Sequence, residues 1–127
     1  MGRKFDYLNV DLEIESRGKL DAVIAELGPK FLELWNSRHR GVHHLHYNAG
    51  ITTTPAKNML ELIRAIDKMP PAAKKQLAAA KRKELNIGVQ AGDDPSAWSP
   101  VPLDPKTLAA CVKYDLAVGF TVYAVRR

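Results

Sequence analysis

The pattern that most constrains the fold lies at residues 8–15, where apolar and polar residues alternate without a break. A period of two places successive side chains on opposite faces of a strand. The segment therefore predicts a strand with one face in a core and the other in water. Its polar face carries Asn9, Asp11, Glu13 and Glu15.

Helix signals follow in four places. Apolar residues recur at helical spacing over residues 20–27. Thr54-Pro55 and Asp104-Pro105 each combine a capping side chain with a proline suited to the first helical position. A further helix is predicted over residues 72–83, after a pair of prolines.

Four more segments are typical of strands. Residues 31–35 and 42–47 flank a turn at 36–41 and predict a hairpin. Residues 84–90 alternate again. Residues 116–125 are apolar on both faces, which predicts a strand that is central or covered on both sides.

The order of these elements predicts the fold class. We expect one α+β domain over residues 1–127, with a single, mostly antiparallel sheet and the helices mainly on one face. The first six elements predict a ferredoxin-like βαββαβ core, to which a helix and a strand are appended.

Composition supports a single globular domain and indicates the cellular compartment. The chain has 127 residues, of which 46% are hydrophobic and 26% charged. No apolar run reaches about 18 residues, and the N-terminus has no uninterrupted apolar stretch, so we expect neither a membrane span nor a secretory signal. The single cysteine, Cys111, favours a cytoplasmic location.

All four histidines lie within eight residues, at 39, 43, 44 and 46. On a strand over 42–47, His44 and His46 project from one face and His43 from the buried one. The first and third strands are neighbours in a ferredoxin-like sheet, so Asp11 or Glu13 would supply a third ligand. The cluster thus predicts a metal site in a small metal-dependent enzyme or sensor. The alternative is a surface strand whose charge is balanced by its acidic neighbour.

Basic residues exceed acidic ones by 19 to 14, a formal net charge of +5. On the predicted helix over 72–83, Lys74, Lys75, Lys81 and Arg82 fall within roughly a third of the circumference. This stripe is suited to electrostatic binding of nucleic acid, although such runs also form solvated helix faces. The acidic first strand argues against RNA binding through the sheet.

Catalytic templates are absent from the sequence. It contains no phosphate-binding glycine loop and no Gly-x-Ser-x-Gly nucleophile motif. Cys111 falls on an apolar helical stripe, where a buried, inert thiol is expected. Asp93-Asp94 and residues 52–54 are typical of turns and caps. The sequence therefore favours a non-catalytic chain that binds no cofactor.

Two features favour a protein-binding module. Arg38, His39 and Arg40 form a cationic hairpin tip suited to a protein partner with an acidic surface. Trp98, in a proline-rich loop, is either an interface anchor or a lid over the core. An edge strand at 31–35 would also allow a homodimer.

The closing segment, LNIGVQAG followed by PLDPKTLAACVKYDLAVGFTVY, resembles the end of small bacterial α+β domains of unknown function. Some of these domains look like immunity proteins, which bind and block a cognate toxin. The resemblance implies an α+β sandwich and a binding role, and it assigns no site residues. Because this chain is basic, it implies a target with an acidic surface.

Overall fold

The computed structural model describes residues 6–50, 54–92 and 101–124. Within these ranges the chain forms five strands and four helices. In chain order they are β1 (Asp6–Ser16), α1 (Asp21–Leu27), β2 (Leu32–His39), β3 (Val42–Asn48), α2 (Pro55–Asp67), α3 (Pro71–Ala78), β4 (Arg82–Gln90), α4 (Pro105–Lys113) and β5 (Ala117–Tyr123). None of the described helices has the length and apolarity required to cross a membrane.

The strands form one mixed sheet in the order β2-β3-β1-β4-β5. All neighbouring strands are antiparallel except β4 and β5, which are parallel because the chain crosses over between them through α4. The predicted α+β class and the mostly antiparallel sheet are confirmed. The ferredoxin-like order of the core stays a prediction, since this sheet includes a parallel pair and ends on a strand outside that pattern.

The core lies between one face of the sheet and the helices. As predicted for β1, the side chains of Val10, Leu12 and Ile14 are completely buried, and Leu12 has Tyr47 and Leu85 as its cross-strand partners. Against this face packs the apolar stripe of α2, which includes Met59, Leu62 and Ile66.

The two predicted proline-associated caps are present. The Thr54 hydroxyl accepts a hydrogen bond from the Lys57 backbone N–H at 3.2 Å. The Asp104 carboxylate accepts one from the Thr107 N–H at 2.7 Å. Each bond satisfies one of the backbone donors that the first turn of a helix leaves open.

The hairpin between β2 and β3 is tighter than predicted. The expected turn over residues 36–41 is wrong: β2 continues to His39, which pairs with Val42. Only Arg40 and Gly41 form the turn, with φ angles of 52° and 77°. Positive φ at both positions matches the twist of the flanking strands, so a two-residue connection suffices.

The helix predicted over 72–83 is also too long. It ends at Ala78, and β4 begins at Arg82. Arg82 and Lys83 pair with Glu15 and Ile14 of β1. Pairing with a central strand outweighs the helical propensity of this Ala- and Lys-rich segment.

The final strand is not central, which corrects the sequence expectation. β5 pairs only with β4 and lies at the edge of the sheet. Val89 of β4 is 1% exposed, whereas its partner in β5, Val122, is 60% exposed. Apolar residues on both faces of a strand therefore do not distinguish a central position from an uncovered edge.

The difference in burial between β4 and β5 can be tested with two matched substitutions. We expect Val89→Ala to lower the free energy of unfolding by about 2 kcal/mol, because it removes buried methyl groups and leaves a cavity. Val122→Ala should change it by less than about 0.5 kcal/mol. Urea unfolding of both variants checks this, and equal losses would mean that Val122 is as buried as Val89.

Candidate interaction surface

The sheet face opposite the helices is polar, and we call it the open face. The register of the strands assigns the side chains to it. Its members include Asn9, Asp11, Glu13 and Glu15 of β1, His44, His46 and Asn48 of β3, Arg82, Glu84 and Asn86 of β4, Trp35 and Ser37 of β2, and Gly119 and Thr121 of β5. The described helices pack on the other face.

Arg82 organises the carboxylates at the centre of the open face. Its guanidinium nitrogens lie 3.0 Å from a carboxylate oxygen of Glu13, 3.6 Å from Glu15 and 3.5 Å from Glu84. Partial burial lowers the pKa of Arg82, but these carboxylates outweigh it, and the net pKa is raised. A charge-assisted network of this kind holds flexible side chains in one arrangement.

The open face is acidic on a basic chain. It carries four carboxylates, Asp11, Glu13, Glu15 and Glu84, and one guanidinium, which leaves three formal negative charges. The whole chain has a formal net charge of +5. The basic residues are thus concentrated elsewhere on the surface.

His44 and His46 project from the open face, as the pattern of β3 indicates. The Nδ1 atom of His44 lies 3.4 Å from a Glu15 carboxylate oxygen. His46 is the cross-strand partner of Glu13, and its ring centre lies 6.3 Å from that of Trp35.

The other residues of the predicted metal site are occupied by protein contacts. Asp11 accepts a hydrogen bond from Asn48 Nδ2 at 2.6 Å. Burial raises the pKa of Asp11, and this bond partly opposes the effect. Glu13 is held by Arg82. No group of three or more His, Cys, Asp or Glu within the described ranges is arranged to hold a metal ion.

Trp35 was not identified from the sequence. Regular alternation from Glu33 would place Trp35 on the helix side, but an irregularity between these two residues puts it opposite His46 on the open face. Its side chain is 55% exposed, and its indole N–H donates to Ser37 Oγ at 2.6 Å. No local sequence signal marks such a bulge.

The predicted cationic tip is divided between the two faces. Arg38, His39 and Arg40 are all exposed. Arg38 pairs with His43 on the helix side, and its Nη2 atom donates to the Gly18 carbonyl at 3.4 Å. His39 belongs to the opposite face. Trp98, the other predicted anchor, lies outside the described residues, as do Asp93 and Asp94.

The predicted basic helical stripe is wrong in its geometry. Lys74 and Lys75 are exposed on α3, but Arg82 lies on β4 within the carboxylate network. Lys81 lies between the two elements. The four side chains therefore do not form the continuous cationic surface that a single helix would present.

No hydroxyl or thiol among the described residues is paired with a histidine base. Cys111 is buried, and burial raises the pKa of its thiol, as expected for an inert cysteine. None of the hydrogen bonds among the described residues joins a serine, threonine or cysteine to a histidine. Such a base is one way in which a hydroxyl or thiol is activated as a nucleophile.

Comparisons with protein-family models, with curated proteins and with solved structures found no match. The resemblance of the closing segment to immunity proteins therefore stays an expectation from the sequence.

Removing the central cation tests the electrostatics of the open face. Arg82→Met leaves Glu13, Glu15 and Glu84 facing one another without a counter-charge. We expect the free energy of unfolding to fall by about 1 kcal/mol at low salt, and about 1 M NaCl to restore part of the loss by screening. Arg17→Met, at an exposed position outside the helices and in no ion pair with a described residue, should show no such salt dependence.

The second prediction concerns pH and the opposite side of the sheet, where His43 lies. Burial, and then the charges of Arg38 and His44, lower the pKa of His43 below its ordinary 6.5. The folded state therefore binds fewer protons than the unfolded state, so this contribution to stability is complete above pH 6.5 and is lost as pH falls through the lowered pKa.

We expect His43→Gln to reduce the loss of stability between about pH 7.5 and 5, measured by urea unfolding. The exposed His39 provides a control, and His39→Gln should leave the profile of the original chain unchanged. Identical profiles for both variants would contradict the assignment.

Proposed function

We propose that this chain is a non-catalytic protein-binding module that uses the open face of its sheet as the interaction surface. The observation that carries the proposal is a structured, acidic and aromatic sheet face that no described helix covers.

The charge of the open face defines the chemistry of the partner. Three formal negative charges on this face favour a partner that presents lysine or arginine side chains opposite β1 and β4. The sequence predicts a partner with an acidic surface. On the structure, that prediction concerns the hairpin turn at Arg40, which lies outside the open face. A partner that covers both regions would be cationic over the sheet and acidic over the turn.

The carboxylates are prepared for binding by contacts within the protein. Arg82 and His44 hold Glu15 from two sides, with separations of 3.6 and 3.4 Å. Side chains that are already ordered lose less conformational entropy when a partner binds. This arrangement supports recognition of a partner with defined geometry.

Trp35 supplies the apolar anchor of the proposed interface. It lies at the edge of the open face beside His46, and Leu32 on the same strand is also exposed. Large exposed aromatic residues next to ordered charges are typical of interaction hot spots. An arginine from a partner can stack on this indole, and a second cationic side chain can pair with the carboxylates of β1 on the other side of β3.

The finer parts of this proposal concern the kind of module. We regard it as a cytoplasmic bacterial inhibitor of a cognate toxin or enzyme, which the closing segment and the single buried Cys111 support. We also assign β1–β4 to a ferredoxin-like core, because β1 lies between β3 and β4 and β2 lies outside β3. Binding through the open face does not depend on either assignment.

Partner binding can be tested with pairs of matched variants. A tagged chain would first be used to isolate protein partners from the host lysate, and nucleic acid would be measured in the same eluate. The affinity of the purified partner would then be determined by calorimetry. We expect Trp35→Ala to weaken binding by about 30-fold and Glu15→Gln to weaken it several-fold, with a reduced salt dependence.

The controls lie on the helix side. Leu108→Ala replaces an exposed apolar residue of α4, and Glu61→Gln an exposed carboxylate of α2. Both should bind as the original chain does. The proposal is wrong if the controls lose as much affinity as the open-face variants, or if the purified chain turns over a substrate.

A further inference from the structure

A cavity of about 270 Å³ lies on the helix side of the sheet, away from the open face. It is bounded by residues of α2, α3, β4 and the end of α4. Its polar lining consists of Lys74, Lys83, Lys113, Tyr114 and Asp115, and Ile66, Leu77 and Ala78 supply the apolar part.

Lys83 is the unusual residue of this cavity. It lies on β4 opposite Ile14, on the core side of the sheet, and its side chain is only 5% exposed. Its ammonium group is 3.4 Å from the Ala78 carbonyl and 3.7 Å from the carboxylate of Asp115, whose side chain is 96% exposed. Both contacts are long for a group with three N–H donors, so a buried positive charge is only partly compensated.

Two further lysines line the same cavity. Lys74 makes no ion pair with any described residue. Lys113 lies 3.7 Å from Asp67 and 5.1 Å from the centre of the Tyr114 ring. The Tyr114 hydroxyl is buried and has no hydrogen-bond partner in the part of the chain that the structure describes. The lining thus offers several donors and only one carboxylate.

We propose that this cavity binds a small phosphate-bearing ligand, with Lys83 and Lys74 as its principal contacts. Three lysines and one carboxylate line the cavity and leave two formal positive charges, which a phosphate dianion balances and a single carboxylate does not. Lysine ammonium groups bind phosphate as point charges. Small-molecule sites usually measure about 300–1,000 Å³, so this cavity suits inorganic phosphate or a compact phosphomonoester. The ligand would supply a close counter-charge for the ammonium group of Lys83.

Asp115 allows a test with the opposite sign. Its carboxylate lines the cavity and competes with an anion for Lys83. Its φ angle of 55° lies in the left-handed region, which asparagine also tolerates. Asp115→Asn should therefore preserve the backbone and tighten phosphate binding.

The experiment is a titration of the full chain with inorganic phosphate, followed by calorimetry and by amide chemical shifts, with chloride at matched ionic strength as reference. We expect saturable binding that shifts the signals of Lys83 and Tyr114. Lys74→Met should weaken it by about tenfold, because one charge-assisted contact is lost. Asp115→Asn should tighten it several-fold, and Lys75→Met, on the same helix but outside the cavity, should leave it unchanged.

Lys83→Met should abolish binding. If that variant does not fold, the changes in affinity of Lys74→Met and Asp115→Asn still test the proposal. Absence of saturable binding at millimolar phosphate, or an equal loss in Lys75→Met, would overturn the proposal. So would a single-stranded oligonucleotide that displaces phosphate and depends equally on Lys74 and Lys75, because the phosphate would then belong to a nucleic-acid backbone. None of these outcomes depends on the open face or its partner.

Discussion

The fold and its surfaces depend on the pairing of β1 with β3 on one side and β4 on the other. The alternation in β1 assigns each face of the sheet: Leu12 and its cross-strand neighbours Tyr47 and Leu85 form the buried layer, and the acidic residues between them form the open face. A slip of one residue would exchange the two faces and place carboxylates against the helices, at a cost of several kcal/mol for each buried charge. The register is therefore defined by the core, and the position of every residue on the open face follows from it.

The separation of charge is the second organising feature. The open face carries four of the fourteen acidic residues and a single basic residue, Arg82, whereas the lysines of the helices lie on the opposite side and Arg40 lies at the hairpin turn. Arg82 reduces the repulsion between the acidic residues while keeping them in place. The two sides of the molecule thus present opposite potentials to the surroundings, and this bears on what each side can bind more than the net charge does.

Local patterns predicted the parts of the fold that local chemistry determines. The alternation of β1 and the caps at Thr54 and Asp104 were identified because their signals lie within a few neighbouring residues. The parts that were missed depend on contacts distant in sequence. The end of α3 follows from the pairing of β4 with β1, and the burial of Lys83 follows from the register of that pairing. The orientation of Trp35 depends on a bulge, and the edge position of β5 depends on which strand lies beside it. The contact between His44 and Glu15 could be predicted from the sequence because both strands alternate. The Arg82 network could not, because the sequence placed Arg82 on a helix.

The two edges of the sheet are chemically unequal. The β2 edge contains a bulge together with Glu33 and Arg38, features that discourage the addition of another strand. From Ala117 to Tyr123, β5 contains neither a charged residue nor a proline, and its pairing with β4 is regular. Within the described residues, its outward-facing backbone groups form the more permissive template for strand addition. The two ends of the sheet consequently differ in how readily they accept another strand. The β2 edge disfavours strand addition, whereas at high protein concentration the β5 edge is where chains would associate.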